Sequence, residues 1–156
     1  MMIKLILCIL IVFSGAVTGV YYSRRLFRRR DTLASFLSLF HKASIMMAYE
    51  AADLCKLFHD NVFEFEFHYD EPFDVQWMEL IGRYKSVLKA KDLEVLSDFI
   101  KNMGSTDMES QQRHLGMYSH LLEEQLKEAG EEVIGKGRLY QVLPLSAGIV
   151  ISLLLI

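Results

Sequence analysis

The sequence predicts an all-α protein, an antiparallel helical bundle held between an N-terminal and a C-terminal transmembrane helix. Two observations predict it. Apolar residues recur at spacings of three and four through most of the chain, the period of one helix face. Each end carries an 18-residue run with no charged residue, at 5–22 and at 139–156. As helix, such a run spans about 27 Å, close to the hydrocarbon thickness of a bilayer. With 52% hydrophobic and 24% charged residues, the chain is more apolar than an ordinary soluble domain, and the surplus sits in these two runs. The expected organisation is an N-terminal transmembrane anchor at 1–23, a cytoplasmic helical domain at 24–138 and a C-terminal transmembrane segment at 139–156.

Only Lys4 precedes the first apolar run, whereas Arg24, Arg25, Arg28, Arg29 and Arg30 follow it. A cleaved signal peptide places its positive charge ahead of the apolar core, so an uncleaved anchor is expected, with the following segment held in the cytoplasm. The five arginines are long enough to reach headgroups and form a membrane-interface collar, with anionic lipids as its partner. Lys136 and Arg138 stand just before the second run, which puts both membrane entries on one side. Gly15 and Gly19 form a G-x-x-x-G, and Ser146, Ala147 and Gly148 give the last run a small face. Small residues let membrane helices approach closely, although this spacing also arises by chance.

From 32 to 58, Leu33, Phe36, Phe40, Met47, Ala51, Cys55 and Phe58 keep helical spacing with no proline or glycine between them, so the first helix is expected to run on out of the membrane. Over 62–73 the period falls to two. Phe63, Phe65, Phe67 and Tyr69 alternate with Glu64, Glu66, His68 and Asp70, an extended pattern. The ordinary reading is a half-buried connection ended by Pro72, aromatic side down. The others are a partner-docking patch made of those four aromatic residues and a metal site on Glu64, Glu66, His68 and Asp70, with His59 nearby.

Trp77, Met78, Ile81, Tyr84 and Leu88 make a helical stripe after Asp74, and Leu93, Leu96, Phe99, Ile100 and Met103 make another after Asp92. Both read as core. Gly104 then closes one helix, and Thr106 is a plausible N-cap for the next, with Glu109 three residues later and Asp107 at the positive helix end. In that second helix Leu115, Tyr118, Leu122, Leu126, Ala129 and Val133 form a stripe that needs a partner helix.

Charge excludes whole classes of function. Residues 31–138 hold 11 Lys and Arg against 20 Asp and Glu, a net −9, so bulk nucleic-acid binding is not expected. The chain has no phosphate-cradling glycine loop, no cysteine pair with ligand spacing and no nucleophile elbow, and no catalytic residue, cofactor or enzymatic activity is expected from it. Cys8 and Cys55 read as small hydrophobes. The acidic face of Glu123, Glu124 and Glu128 is the expected docking surface for a protein partner.

Met103-Gly104-Ser105-Thr106-Asp107, with Gln111 four residues on, followed by a long acidic amphipathic helix and a terminal apolar run, resembles the stage III sporulation protein AB family and its Leu-Gly-x-x-Asp-x-x-x-Gln signature. The N-terminal apolar run, the arginines and the helix containing Ile45-Met46-Met47-Ala48-Tyr49 are similar to it too. The resemblance implies that Gly104, Asp107 and Gln111 shape the helix hairpin. It further implies a mother-cell membrane protein of a channel complex joining mother cell and forespore, with a helical domain similar to the cytoplasmic domains of inner-membrane platform proteins of type II secretion and type IV pilus machines. Its implied partners are a secretion-type ATPase and other membrane subunits of the channel, and a second copy of the chain is a further candidate. The alternative is a membrane-anchored adaptor that presents an acidic helical domain to a soluble partner.

Overall fold

The computed structural model describes residues 2–49, 58, 63, 65, 67–68, 70–103 and 108–155, with the side chains at 2–8, 11, 48–49, 108, 138, 140–141, 144–145, 148 and 152–155 outside that set. The described elements are all helices: α1 Met2–Tyr49, α2 Phe73–Arg83, α3 Ala90–Asn102 and α4 Met108–Leu155. The chain divides into two compact units. Unit 1 combines Met1–Arg30 with Glu128–Ile156, and unit 2 is Asp31–Lys127. Among the described residues no helix is long and apolar enough to cross a membrane. The two runs expected as anchors, 5–22 and 139–156, extend into side chains outside the described set.

In unit 1 the α1 and α4 segments run antiparallel: Ser23 faces Gly137, and six residues on, Arg29 reaches back to Glu132. Ala129 and Val133 are buried as the stripe requires. The side chains of Ile9, Leu10, Phe13, Val17, Leu139, Val142 and Ile149, by contrast, all point outward.

Unit 2 is organised around Trp77, whose side chain is fully buried. Its ring lies 5.2–6.5 Å from the rings of Phe36, Phe40, Phe58, Phe67, Phe73 and Phe99. An indole N–H taken out of water needs an acceptor, and Nε1 donates to the Leu96 carbonyl of α3 at 2.9 Å. The same stack extends to α4 through Phe99 on Tyr118, with centroids 5.6 Å apart. Aromatic pairs at such separations add to the area term by about 0.5–1.5 kcal/mol each.

Two polar groups pin the segments between helices. Gln76 is buried, and its amide donates to the carbonyls of His68 and Glu71 at 2.7 and 2.8 Å while accepting from the His68 amide at 2.6 Å. It therefore ties residues 68–71 to the start of α2. Asp92, also buried, accepts from the Lys89 backbone amide at 2.9 Å. It sits at the third position of α3, where the carboxylate reaches back to the cap amide, not at the helix start that the sequence pattern indicates. With its amide nitrogen turned to that carboxylate, Gln125 of α4 donates to Asp92 Oδ1 at 3.1 Å and accepts from Lys91 Nζ at 3.3 Å.

Three expectations change. The stripe from Trp77 to Leu88 is not one helix, since α2 stops at Arg83 and a turn follows, its Val87 and Leu88 amides both donating to the Tyr84 carbonyl. Gly82, a poor helix former, stands just before that stop. Met78 lies on the outside of α2 and not in the core. Over 62–73, Phe63, Phe65 and Phe67 are core residues, so their rings are not on the surface as a docking patch requires. Phe36 meets Phe63 at 4.4 Å, and the Arg83 guanidinium lies 4.8 Å over Phe65. Tyr69 lies outside the described residues.

Trp77→Ala is expected to cost about 3–5 kcal/mol through the cavity it opens, read as a lowered thermal midpoint by circular dichroism. Gln76→Leu keeps the volume but strands three backbone groups of residues 68 and 71. It is expected to cost about 1–3 kcal/mol and to speed amide exchange at His68.

Candidate functional site

Three surfaces bear on function, two in unit 2 and one in unit 1. On unit 2, α1 and α4 bring His41, His120, Glu123 and Glu124 together. His41 Nε2 lies 3.6 Å from Glu123 Oε1, His120 Nδ1 lies 3.6 Å from Glu123 Oε2, and His120 Nε2 lies 3.9 Å from Glu124 Oε1. All four side chains are about half exposed or more, so water screens these pairs and each contributes little to stability. Such a cluster offers acceptors to a basic partner.

The second surface is an open groove of about 810 Å³ between α2 and α3. Phe73, Ile100 and Met103 line it, Val75 and Met78 stand beside them, and Asp74, Ser97 and Lys101 supply its polar atoms. Lys101 is held at 2.8 Å by Asp98. That hydrogen bond, with the Asp98 charge, raises the Lys101 pKa above the ordinary lysine value. Sequence reasoning missed this groove because helical spacing assigns Met78 to the buried stripe. The available signal was the pair Val75 and Met78, three residues apart and so on one face.

In unit 1 the arginine run is not uniform. Arg24, Arg25 and Arg28 are exposed, and Arg30 lies with its guanidinium 5.3 Å from the Phe27 ring. Arg29 alone is buried, at 3% exposure, and donates to Glu132 Oε2 at 2.9 Å with Glu128 Oε1 at 3.8 Å. One of the five expected collar residues therefore joins α1 to α4. Glu128, expected on the acidic docking face, is drawn toward this guanidinium, whereas Glu123 and Glu124 remain on the exposed face.

Of the hairpin residues, Gly104 and Asp107 lie outside the described residues, as does the expected N-cap Thr106. Gln111 is half-buried in the first turns of α4. Of the residues weighed for metal, Glu64, Glu66 and His59 also lie outside the described set, and His68 and Asp70 are exposed. Among the described residues no three His, Cys, Asp or Glu side chains are grouped to hold a metal ion.

The family model described as stage III sporulation protein AB matches residues 56–156. The chain belongs to the stage III sporulation protein AB family. That match takes in α2, α3 and α4, and with them the groove, the Glu123 and Glu124 face and the hairpin residues Gly104, Asp107 and Gln111. The first apolar run, the arginines and α1, which also resemble the family, precede the matched stretch. No curated protein and no solved structure matches the chain. This stage III sporulation protein therefore takes its functional reading from the family and from its own surfaces.

Arg29→Met is expected to destabilise the protein by about 2 kcal/mol because Glu132, in a largely buried position, loses its 2.9 Å ion pair and keeps the longer 3.4 Å contact with Lys136. Replacing both residues, Arg29→Met with Glu132→Leu, is expected to recover most of that loss. Thermal unfolding followed by circular dichroism measures both.

Proposed function

We propose that this stage III sporulation protein is a membrane platform subunit of a secretion-like channel linking mother cell and forespore, with no chemistry of its own. It sits in the mother-cell membrane and docks a cytoplasmic secretion-type ATPase beside other membrane subunits. The observation that carries this reading is the outer surface of unit 1. Large apolar side chains from Ile9 to Tyr22 on α1, and from Leu139 to Ile151 on α4, are exposed on two antiparallel helices. Water-soluble monomers rarely expose a contiguous apolar area of that kind, and lipid tails cover it at no cost. The charge pattern supports the same placement. Arg24, Arg25 and Arg28 end the apolar stretch of α1 where headgroups would begin, while Arg29 is neutralised inside by Glu132.

Unit 2 then stands in the cytoplasm, carrying 9 Lys and Arg against 17 Asp and Glu, a net −8. An ATPase with a basic face would be steered toward it. Helices α1 and α4 each continue from unit 2 into unit 1, which gives force applied to unit 2 a covalent path to the two spans.

The test is capture of the purified ATPase by the full-length protein in detergent. Glu123→Lys with Glu124→Lys is expected to reduce capture about tenfold, and 0.5 M salt to do the same to the unaltered protein. Absence of capture by the unaltered chain removes ATPase docking from this reading. Capture indifferent to both charge reversals moves the contact off this face.

A further inference from the structure

We infer that the groove between α2 and α3 is the seat of a single basic amphipathic helix from a protein partner. The inference rests on the platform reading above for the side on which that partner lies, and on unit 2 for everything else. Four large apolar residues are exposed on the described part of unit 2, Ile45, Val75, Met78 and Met117, and two of them flank this groove. Val75 is 57% and Met78 48% exposed on a helix of 11 residues. Side chains of this size on so short a helix gain nothing from water, and neither of them enters the Trp77 cluster that the other face of α2 builds. The floor beneath them is apolar as well, made by Phe73, Ile100 and Met103.

The shape selects a helix. Two helices wall the groove, and each wall runs about one turn, from Val75 to Met78 on one side and from Ser97 to Lys101 on the other. That is room for two or three side chains of an incoming helix, spaced i, i+3 or i+4, and i+7. The charge selects its flanks. Residues 70–74, which lead into the groove wall, contain Asp70, Glu71 and Asp74 with no Lys, Arg or His among them, and all three are exposed, while the Glu79 charge is met by Arg83 at 2.9 Å. On the opposite wall the Lys101 charge is already met by Asp98. The rim is therefore acidic in effect, and it fits lysines or arginines beside the apolar anchors of a visitor. A second copy of unit 2, at net −8, or an anionic headgroup would bring like charge to the same rim.

The experiment uses the full-length chain in phosphatidylcholine nanodiscs, with empty nanodiscs as background. The probe is a fluorescein-labelled 18-residue helix with leucines on one face and lysines on its flanks, and its twin carries glutamates in place of the lysines. Fluorescence anisotropy is expected to show the lysine probe binding about tenfold tighter than its twin. Met78→Glu is expected to weaken that binding about tenfold and Met78→Leu to preserve it, with helical circular dichroism unchanged in both variants. Asp74→Lys is expected to bring the two probes within about threefold of each other. Binding no greater than to empty discs, binding indifferent to Met78→Glu, or a dimer of the chain that Met78→Glu separates would each overturn the inference. The ATPase capture is scored apart. Should the probe bind through the groove while the ATPase is not captured, the groove stands and the platform reading loses its ATPase. Should the ATPase be captured while the probe ignores Met78→Glu, the groove falls and the platform reading remains.

Discussion

The indole of Trp77 is the constraint on which unit 2 depends. It is the largest side chain of the unit and must leave water entirely, yet it carries one N–H that cannot be left unbonded. Both demands are met only if α3 lies where the Leu96 carbonyl can accept that proton and if rings from α1, α2, α3 and residues 58–67 close around the rest. The alternation of Phe63, Phe65 and Phe67 makes sense in this setting. Phe67 lies against the indole, Phe65 packs on Phe67, and Phe63 packs on Phe36 and Tyr84, with Gln76 fixing the far end of the segment by three hydrogen bonds to residues 68 and 71.

A second constraint works in unit 1. A guanidinium cannot be buried without a carboxylate to answer it, so Arg29 fixes the register of α1 against α4 through Glu132. In a pair of helices whose described large side chains mostly point outward, with Val133 among the few that are buried, few contacts discriminate one register from another. A charged pair at one place does so at the cost of desolvating both groups. Its neighbours Arg24, Arg25 and Arg28 stay outside, so one run of like residues divides between holding the fold and meeting the surroundings.

Acidic charge and exposed apolar area lie close together on unit 2. Exposed carboxylates attract positive charge from a distance and hold it weakly, since water screens them. Apolar area beside them, in the groove edged by Val75 and Met78, acts only on contact and is not weakened by salt. Attraction from afar and adhesion at contact are separate tasks, and α2 carries residues suited to each, Asp74 beside Val75 and Met78.

The sequence by itself determined the helical class, the two apolar ends, the acidic middle, and the stripes of α3 and α4, because periodicity and charge are properties of the chain read locally. Leu96, Phe99, Leu115, Tyr118 and Leu122 are buried as their spacing requires. It did not determine the rotation of α2. Spacing is equally content with Met78 or with Gln76 on the inward face, and the tertiary structure takes Gln76 in and turns Met78 out. The reason is that Trp77 needs the centre of the ring cluster and Gln76 needs the backbone of residues 68 and 71. Nor did it distinguish Arg29 from the four arginines around it, since only a carboxylate 103 residues away singles it out. Which face of a helix turns inward, and which of several like charges is buried, are settled by partners distant in the chain, and these are what make the groove and the Arg29–Glu132 pair.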